Sequence, residues 1–101
     1  MTTYLDQEPL SGAAVDFGQA LRLLKQGHKM SRSGWNGKGM FLYYVPANKY
    51  PYTTEIGKTI ADADGNVEYG AYIAMKTAQG NVVPWLASQT DVLAEDWVIT
   101  K

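Results

Sequence analysis

The spacing of apolar residues changes period along this chain, and each change marks an element. From Phe17 the apolar side chains recur at 17, 20, 21 and 24, the one-face spacing of an amphipathic helix. Asp16 can cap that helix, Gln19 three residues on completes a capping-box pattern, and Gly27 is a natural C-terminal stop. The spacing predicts a helix over 16–26, with its Phe and Leu stripe on a sheet and Arg22, Lys25 and Gln26 mostly on the wet side. Lys29 to Arg32 reads as a short strand. Met40-Phe41-Leu42-Tyr43-Tyr44-Val45 is β-rich and ends at Pro46. Tyr69 to Thr77 reads as another strand, with Ala78-Gln79-Gly80-Asn81 turning the chain so that Val82-Val83 pairs back as a hairpin. Ser88 and Asp91 offer a second capping pattern, for a short helix near 88–94. Asp96 to Thr100 is a last strand, with Trp97 and Ile99 on one face and Val98 on the other. Residues 46–68 carry Pro51, Gly57 and Asp64-Gly65-Asn66 and read as a long loop ending in a tight turn. Residues 1–14 are polar and irregular, the pattern of a flexible or loosely docked extension. The expected architecture is α+β: a small antiparallel sheet, one main N-terminal helix and a short C-terminal helix. It forms a single domain over 16–101 behind an N-terminal extension, 1–15.

Composition narrows the classes of function. A chain of 101 residues has a modest core and little room for a deep internal pocket, so a sizeable ligand would need a crevice shared between subunits. The net charge of −1 argues against broad binding to nucleic-acid backbone, which needs clustered Lys and Arg. The absence of cysteine excludes disulfides, thiolate metal sites and Cys nucleophiles. No apolar run reaches the roughly 18 residues that span a bilayer, and the N-terminus has no signal-peptide pattern. These features predict a cytoplasmic protein with no membrane or nucleic-acid partner.

Catalytic chemistry is thinly represented. The single histidine, His28, sits at a helix end and reads as structural. There is no nucleophile elbow, no Ser-His-Asp pattern and no metal-binding His pair. Glu95 and Asp96 are adjacent and would point to opposite faces of a strand. Asp62-Ala63-Asp64-Gly65-Asn66 faintly resembles a calcium loop, but its Gly and Glu spacing fails and a polar turn is the better reading. The expectation is a protein that is not an enzyme and that holds neither metal nor cofactor.

Two Trp-centred segments stand out, Ser33-Gly34-Trp35-Asn36-Gly37-Lys38-Gly39-Met40 and Pro84-Trp85-Leu86-Ala87-Ser88-Gln89-Thr90-Asp91. Each sets a flat indole beside small polar groups, as a site for a stacked base with phosphates requires. Glycine-rich turns present consecutive backbone N–H groups to anions, and Arg32 and Lys38 add positive charge. In this reading Trp35 stacks on a base, Asn36 and Asp91 hydrogen-bond, and Lys38 with the Gly37 backbone faces phosphate. The candidate ligand-binding set is Arg32, Trp35, Asn36, Gly37, Lys38, Gly39, Trp85, Ser88, Gln89, Thr90 and Asp91. The plain alternative stays open for both segments: Trp35 as a core plug in a glycine turn, and Ser88 with Asp91 as helix caps. Trp97 is assigned to the core.

Together with Phe17-Gly18-Gln19-Ala20-Leu21, Met75-Lys76-Thr77-Ala78 and Leu93-Ala94-Glu95-Asp96-Trp97, these blocks resemble the phage-encoded Thoeris anti-defence 2 family over about residues 16–101. Loop 46–68 matches it weakly. The resemblance implies a sponge that binds cyclic ADP-ribose-type immune signals, chiefly glycocyclic ADP-ribose, without cleaving them. It implies a homotetramer with ligand sites between subunits, acting in the infected cell, and some members also take cyclic oligonucleotides at separate sites. Other classes to be weighed against it are an enzyme that degrades the signal and a structural phage module facing a protein or sugar.

Overall fold

The computed structural model describes residues 13–35 and 37–101. Helix α1 (Phe17–Lys25) begins at Asp16, whose side chain accepts from the Gln19 backbone N–H while Gln19 reaches back to the Asp16 N–H. It ends at Gln26, and Gly27 follows with φ of 102°. Strands β1 (Lys29–Arg32), β2 (Phe41–Val45), β5 (Tyr72–Lys76), β6 (Val82–Pro84) and β7 (Trp97–Thr100) form one antiparallel sheet in the order β6-β5-β2-β1-β7. Strands β3 (Asn48–Pro51) and β4 (Asn66–Tyr69) pair separately, helix α2 (Glu55–Ile60) lies between them, and the short helix α3 (Gln89–Val92) precedes β7. The fold is α+β, as the sequence predicts.

The register sorts the sheet residues into two faces, because partners directly opposite in an antiparallel pair share a face. Met30 opposes both Leu42 and Ile99, and Leu42 opposes Met75. This is the face that α1 covers. Val15, Ala20, Leu23, Leu24, Met30, Leu42 and Trp97 form the buried cluster, with Ile73, Met75 and Ile99 packed against it. The helix stripe is centred on Ala20, Leu23 and Leu24, so Leu23 joins it and Leu21 is only half-buried. Val98, opposite Ser31, falls on the other face, as expected from its place between Trp97 and Ile99. Val15 bridges to Trp97 through both backbone hydrogen bonds, 2.8 and 3.1 Å. The chain is thus pinned to the sheet just ahead of α1. The extension expected over 1–14 lies, up to residue 12, outside the described residues.

Two expectations need correction. Residues 46–68 are not a structureless loop, and the strand read over 69–77 is two strands broken at Gly70-Ala71. The β3 ladder pairs Asn48 with Tyr69 and Pro51 with Asn66. Thr54 caps α2 by accepting from the Gly57 N–H at 2.9 Å. The pattern hid these elements because β3 has no apolar alternation and α2 exposes both of its isoleucines, Ile56 at 78% and Ile60 at 68%. Backbone pairing, the edge-on contact of Tyr50 with Tyr69 at 5.9 Å and the buried Val67 hold the arm together. The Asp62–Asn66 segment is the polar turn the sequence suggests. Asp62 Oδ1 accepts from the N–H groups of Asp64 and Asn66 at 2.9 and 3.0 Å, and Gly65 takes φ of 80°.

Candidate functional site

The two Trp segments meet around a third indole. Trp97 is fully buried. Trp35 stands edge-on to it at 5.5 Å and 79°, and Trp85 at 5.9 Å and 86°. Phe17, from the first turn of α1, contacts both Trp97 at 5.5 Å and Trp85 at 6.0 Å. Edge-to-face geometry brings the positive rim of one ring to the negative face of the next. Trp35 and Trp85 remain half-buried, each in contact with the core without being enclosed by it. Trp97 also donates from Nε1 to the Asp91 carbonyl at 3.0 Å, so its polar atom is satisfied despite burial.

A charged link parallels the aromatic one. Arg32, at the end of β1, donates from Nε to Asp96 Oδ1 at 2.8 Å and from an η nitrogen to Asp91 Oδ1 at 3.1 Å. Asp96 Oδ2 accepts from the Gly34 N–H at 3.3 Å. The other Asp91 oxygen accepts from the Ser88 N–H, while Ser88 Oγ accepts from the Asp91 N–H at 3.1 Å. Ser88 and Asp91 are therefore a reciprocal capping box for α3. Gln89 and Thr90 lie in its first turn with exposed side chains.

In the glycine turn, a Cβ on Gly37 would run into the Met40 side chain. Gly39 has φ of 75°, and its carbonyl accepts from Lys76 Nζ at 3.1 Å. Only glycine adopts that backbone without strain. Gly39→Ala is expected to cost about 1–2 kcal/mol, read as a lower denaturation midpoint; an unchanged midpoint would show that the turn tolerates a side chain there. Lys38 is exposed. Asn36 lies outside the described residues, so its expected role is not placed. Clefts of 530 and 270 Å³ open at the β3–β4 arm, the second lined by Val45, Tyr50, Pro51, Thr53, Tyr69 and Tyr72. Neither is lined by a residue of the Trp segments.

Asp96 is the residue that sequence reasoning missed. Its signal was an acid just ahead of the strand that pairs with the one ending in Arg32, Arg32 itself opposing Trp97. The Arg32 guanidinium holds the Asp96 carboxyl below the usual range; desolvation works against this and the Gly34 N–H adds to it. For Asp91, partial burial pushes upward, yet hydrogen bonds from Ser88 and Arg32 outweigh it and leave the carboxyl depressed. Arg32 is held more firmly protonated by Asp96 and then Asp91. Both folded-state carboxyl values lie below the ordinary 3.8, so acid protonates the unfolded chain first. The stability from these groups is complete at neutral pH. It is lost as the pH falls from about 5 through the folded-state values. Melting temperature is expected to fall over that range, and Arg32→Gln to lessen the fall; an equal slope in both proteins would contradict the linkage. Among the described residues no group of three or more His, Cys, Asp and Glu is placed to hold a metal ion. No helix among them is long and apolar enough to cross a membrane.

The chain so arranged, a small antiparallel α+β domain with two indole-bearing turns around a buried Trp, has relatives in sequence. Residues 15–100 match the Thoeris anti-defense 2-like domain. A relative from Bacillus phage SP01, "Thoeris anti-defense 2", is 42% identical over 85 residues, which cover 84% of this chain and 93% of the relative. The chain belongs to the Thoeris anti-defence 2 family, and its role is phage anti-defence.

Proposed function

We propose that this protein sequesters a cyclic ADP-ribose-type immune signal, glycocyclic ADP-ribose in particular, and holds it uncleaved. What carries the reading is the meeting of the two Trp segments around the buried Trp97 in a chain of this family. Trp35 offers a half-buried ring for adenine, with Trp85 beside the same Trp97 hub. Lys38 and the Gly37–Gly39 backbone supply a cation and N–H groups for the diphosphate, while the exposed side chains of Gln89 and Thr90 border the capped Ser88–Asp91 turn. Arg32 pairs with both Asp91 and Asp96 and offsets one of their two negative charges, which lessens their repulsion of an anionic ligand. Asn36 belongs to the same turn by sequence.

Tight capture needs more than this open surface. A nanomolar Kd corresponds to about −12 kcal/mol, whereas stacking contributes roughly 1–3 kcal/mol per base. A second copy closing over the surface would exclude water and strengthen the phosphate contacts. This fits a homotetramer with sites between subunits, working in the cytoplasm of the infected bacterium. The test is calorimetry with glycocyclic ADP-ribose, followed by heat release and mass analysis of the supernatant. Saturable binding with the compound recovered unchanged is expected. A converted product would mark an enzyme instead, and absence of binding across a panel of cyclic nucleotide signals would favour a structural phage module.

A further inference from the structure

We propose that Asp96 is a positioning residue for the ligand surface: it aims the Trp35 turn by gripping it at three points. The proposal rests on the sequestration reading. Asp96 Oδ1 takes Arg32 Nε at 2.8 Å, Oδ2 takes the Gly34 N–H at 3.3 Å, and the Asp96 carbonyl takes the Ser33 N–H at 3.0 Å. The Trp35 N–H in turn donates to the Arg32 carbonyl at 3.1 Å. Every one of these hydrogen bonds on the backbone of residues 33–35 ends on Asp96 or Arg32. Arg32 passes the restraint across to Asp91 at 3.1 Å, and Asp91 is fixed in the α3 cap. The carboxylate thus makes two of the three grips, on Gly34 and Arg32, and through Arg32 ties the Trp35 turn to the second segment.

The chemistry demands a carboxylate. Its two oxygens accept from two different donors at once. An amide at this position has one acceptor oxygen, and its NH₂ would face either the guanidinium or the Gly34 N–H, donor against donor. A longer carboxylate retains both acceptors. With both of these carboxylates engaged, Arg32 acts as a strut, and the phosphate-facing charge falls to the lysines at the glycine turn: Lys38, which is exposed, and Lys76, whose Nζ sits at the Gly39 carbonyl.

The experiment compares wild type, Asp96→Asn, Asp96→Glu and, as a neighbouring control, Glu95→Gln. Each is measured by thermal melting, by calorimetry with glycocyclic ADP-ribose, and by the nitrogen–proton spectrum without ligand. In Asp96→Asn the Gly34 amide and Trp35 indole signals are expected to shift while melting stays cooperative, and affinity to fall roughly tenfold, about 1.4 kcal/mol. Asp96→Glu should recover part of that loss, and Glu95→Gln should match wild type. Wild-type affinity in folded Asp96→Asn, or a loss that Asp96→Glu does not relieve, overturns the proposal. If wild type itself does not bind, the sequestration reading fails separately. The ligand-free spectra then decide the positioning claim: unshifted Gly34 and Trp35 signals refute it, and a shift confined to the Trp segments supports it.

Discussion

Trp97→Ala should lower folding stability by about 3–5 kcal/mol, the range for removing a fully buried aromatic side chain. A domain of this size has only about 5–15 kcal/mol in total, so the variant should sit near the edge of folding. Trp97 has no exposed surface and touches Phe17, Trp35 and Trp85. Its loss opens a cavity where α1, β7 and both Trp segments converge. Trp97→Phe keeps much of the packing and removes one donor to the Asp91 carbonyl, which still accepts from the Ala94 N–H at 3.3 Å, so it should cost less, about 0.5–1.5 kcal/mol for the lost hydrogen bond. Urea or thermal denaturation measures both. A loss under about 1 kcal/mol for the alanine variant would mean that the three rings do not depend on their hub.

Trp35→Ala and Trp85→Ala should each weaken glycocyclic ADP-ribose binding by about 5–150-fold, the equivalent of roughly 1–3 kcal/mol. If the sequestration proposal holds, Trp35 should show the larger effect, since Lys38 follows it in the same glycine turn and is exposed. Both rings rest on Trp97, and residues that share a partner combine non-additively. The double variant should therefore fall short of, or exceed, the product of the single losses. Calorimetry on variants that melt cooperatively separates lost contact from lost fold. Unchanged affinity in a folded Trp35→Ala protein would take that ring out of the site.

What the sequence disclosed and what it hid divide along physical lines. Helix α1 was legible because its cap, stripe and stop are all local, and Asp16 and Gln19 form the box their spacing predicts. The β5–β6 hairpin and the burial of Trp97 were legible for similar reasons. Sheet order was not, since β1 lies beside β7 from the far end of the chain and no short-range pattern encodes that pairing. Arm β3–α2–β4 was missed because it is held by backbone ladders and caps rather than by an apolar face. In the candidate site, the indoles and their polar neighbours announced themselves by type. Asp96 did not, because its meaning depends on Arg32, which only the β1–β7 pairing brings within reach. The two readings of Ser88 and Asp91 differ in what their atoms do, and the structure shows those atoms engaged in capping.

Strands β2 and β5 are direct neighbours, with Val45 opposite Tyr72. Everything from 46 to 71 is therefore an ornamented version of the short connection two such strands require. Closing a longer loop costs only slightly more entropy, about 0.6 kcal/mol per doubling. Shortening this stretch is therefore expected to leave the indole cluster in place, since none of the ring contacts of Trp97 involves a residue of 46–71.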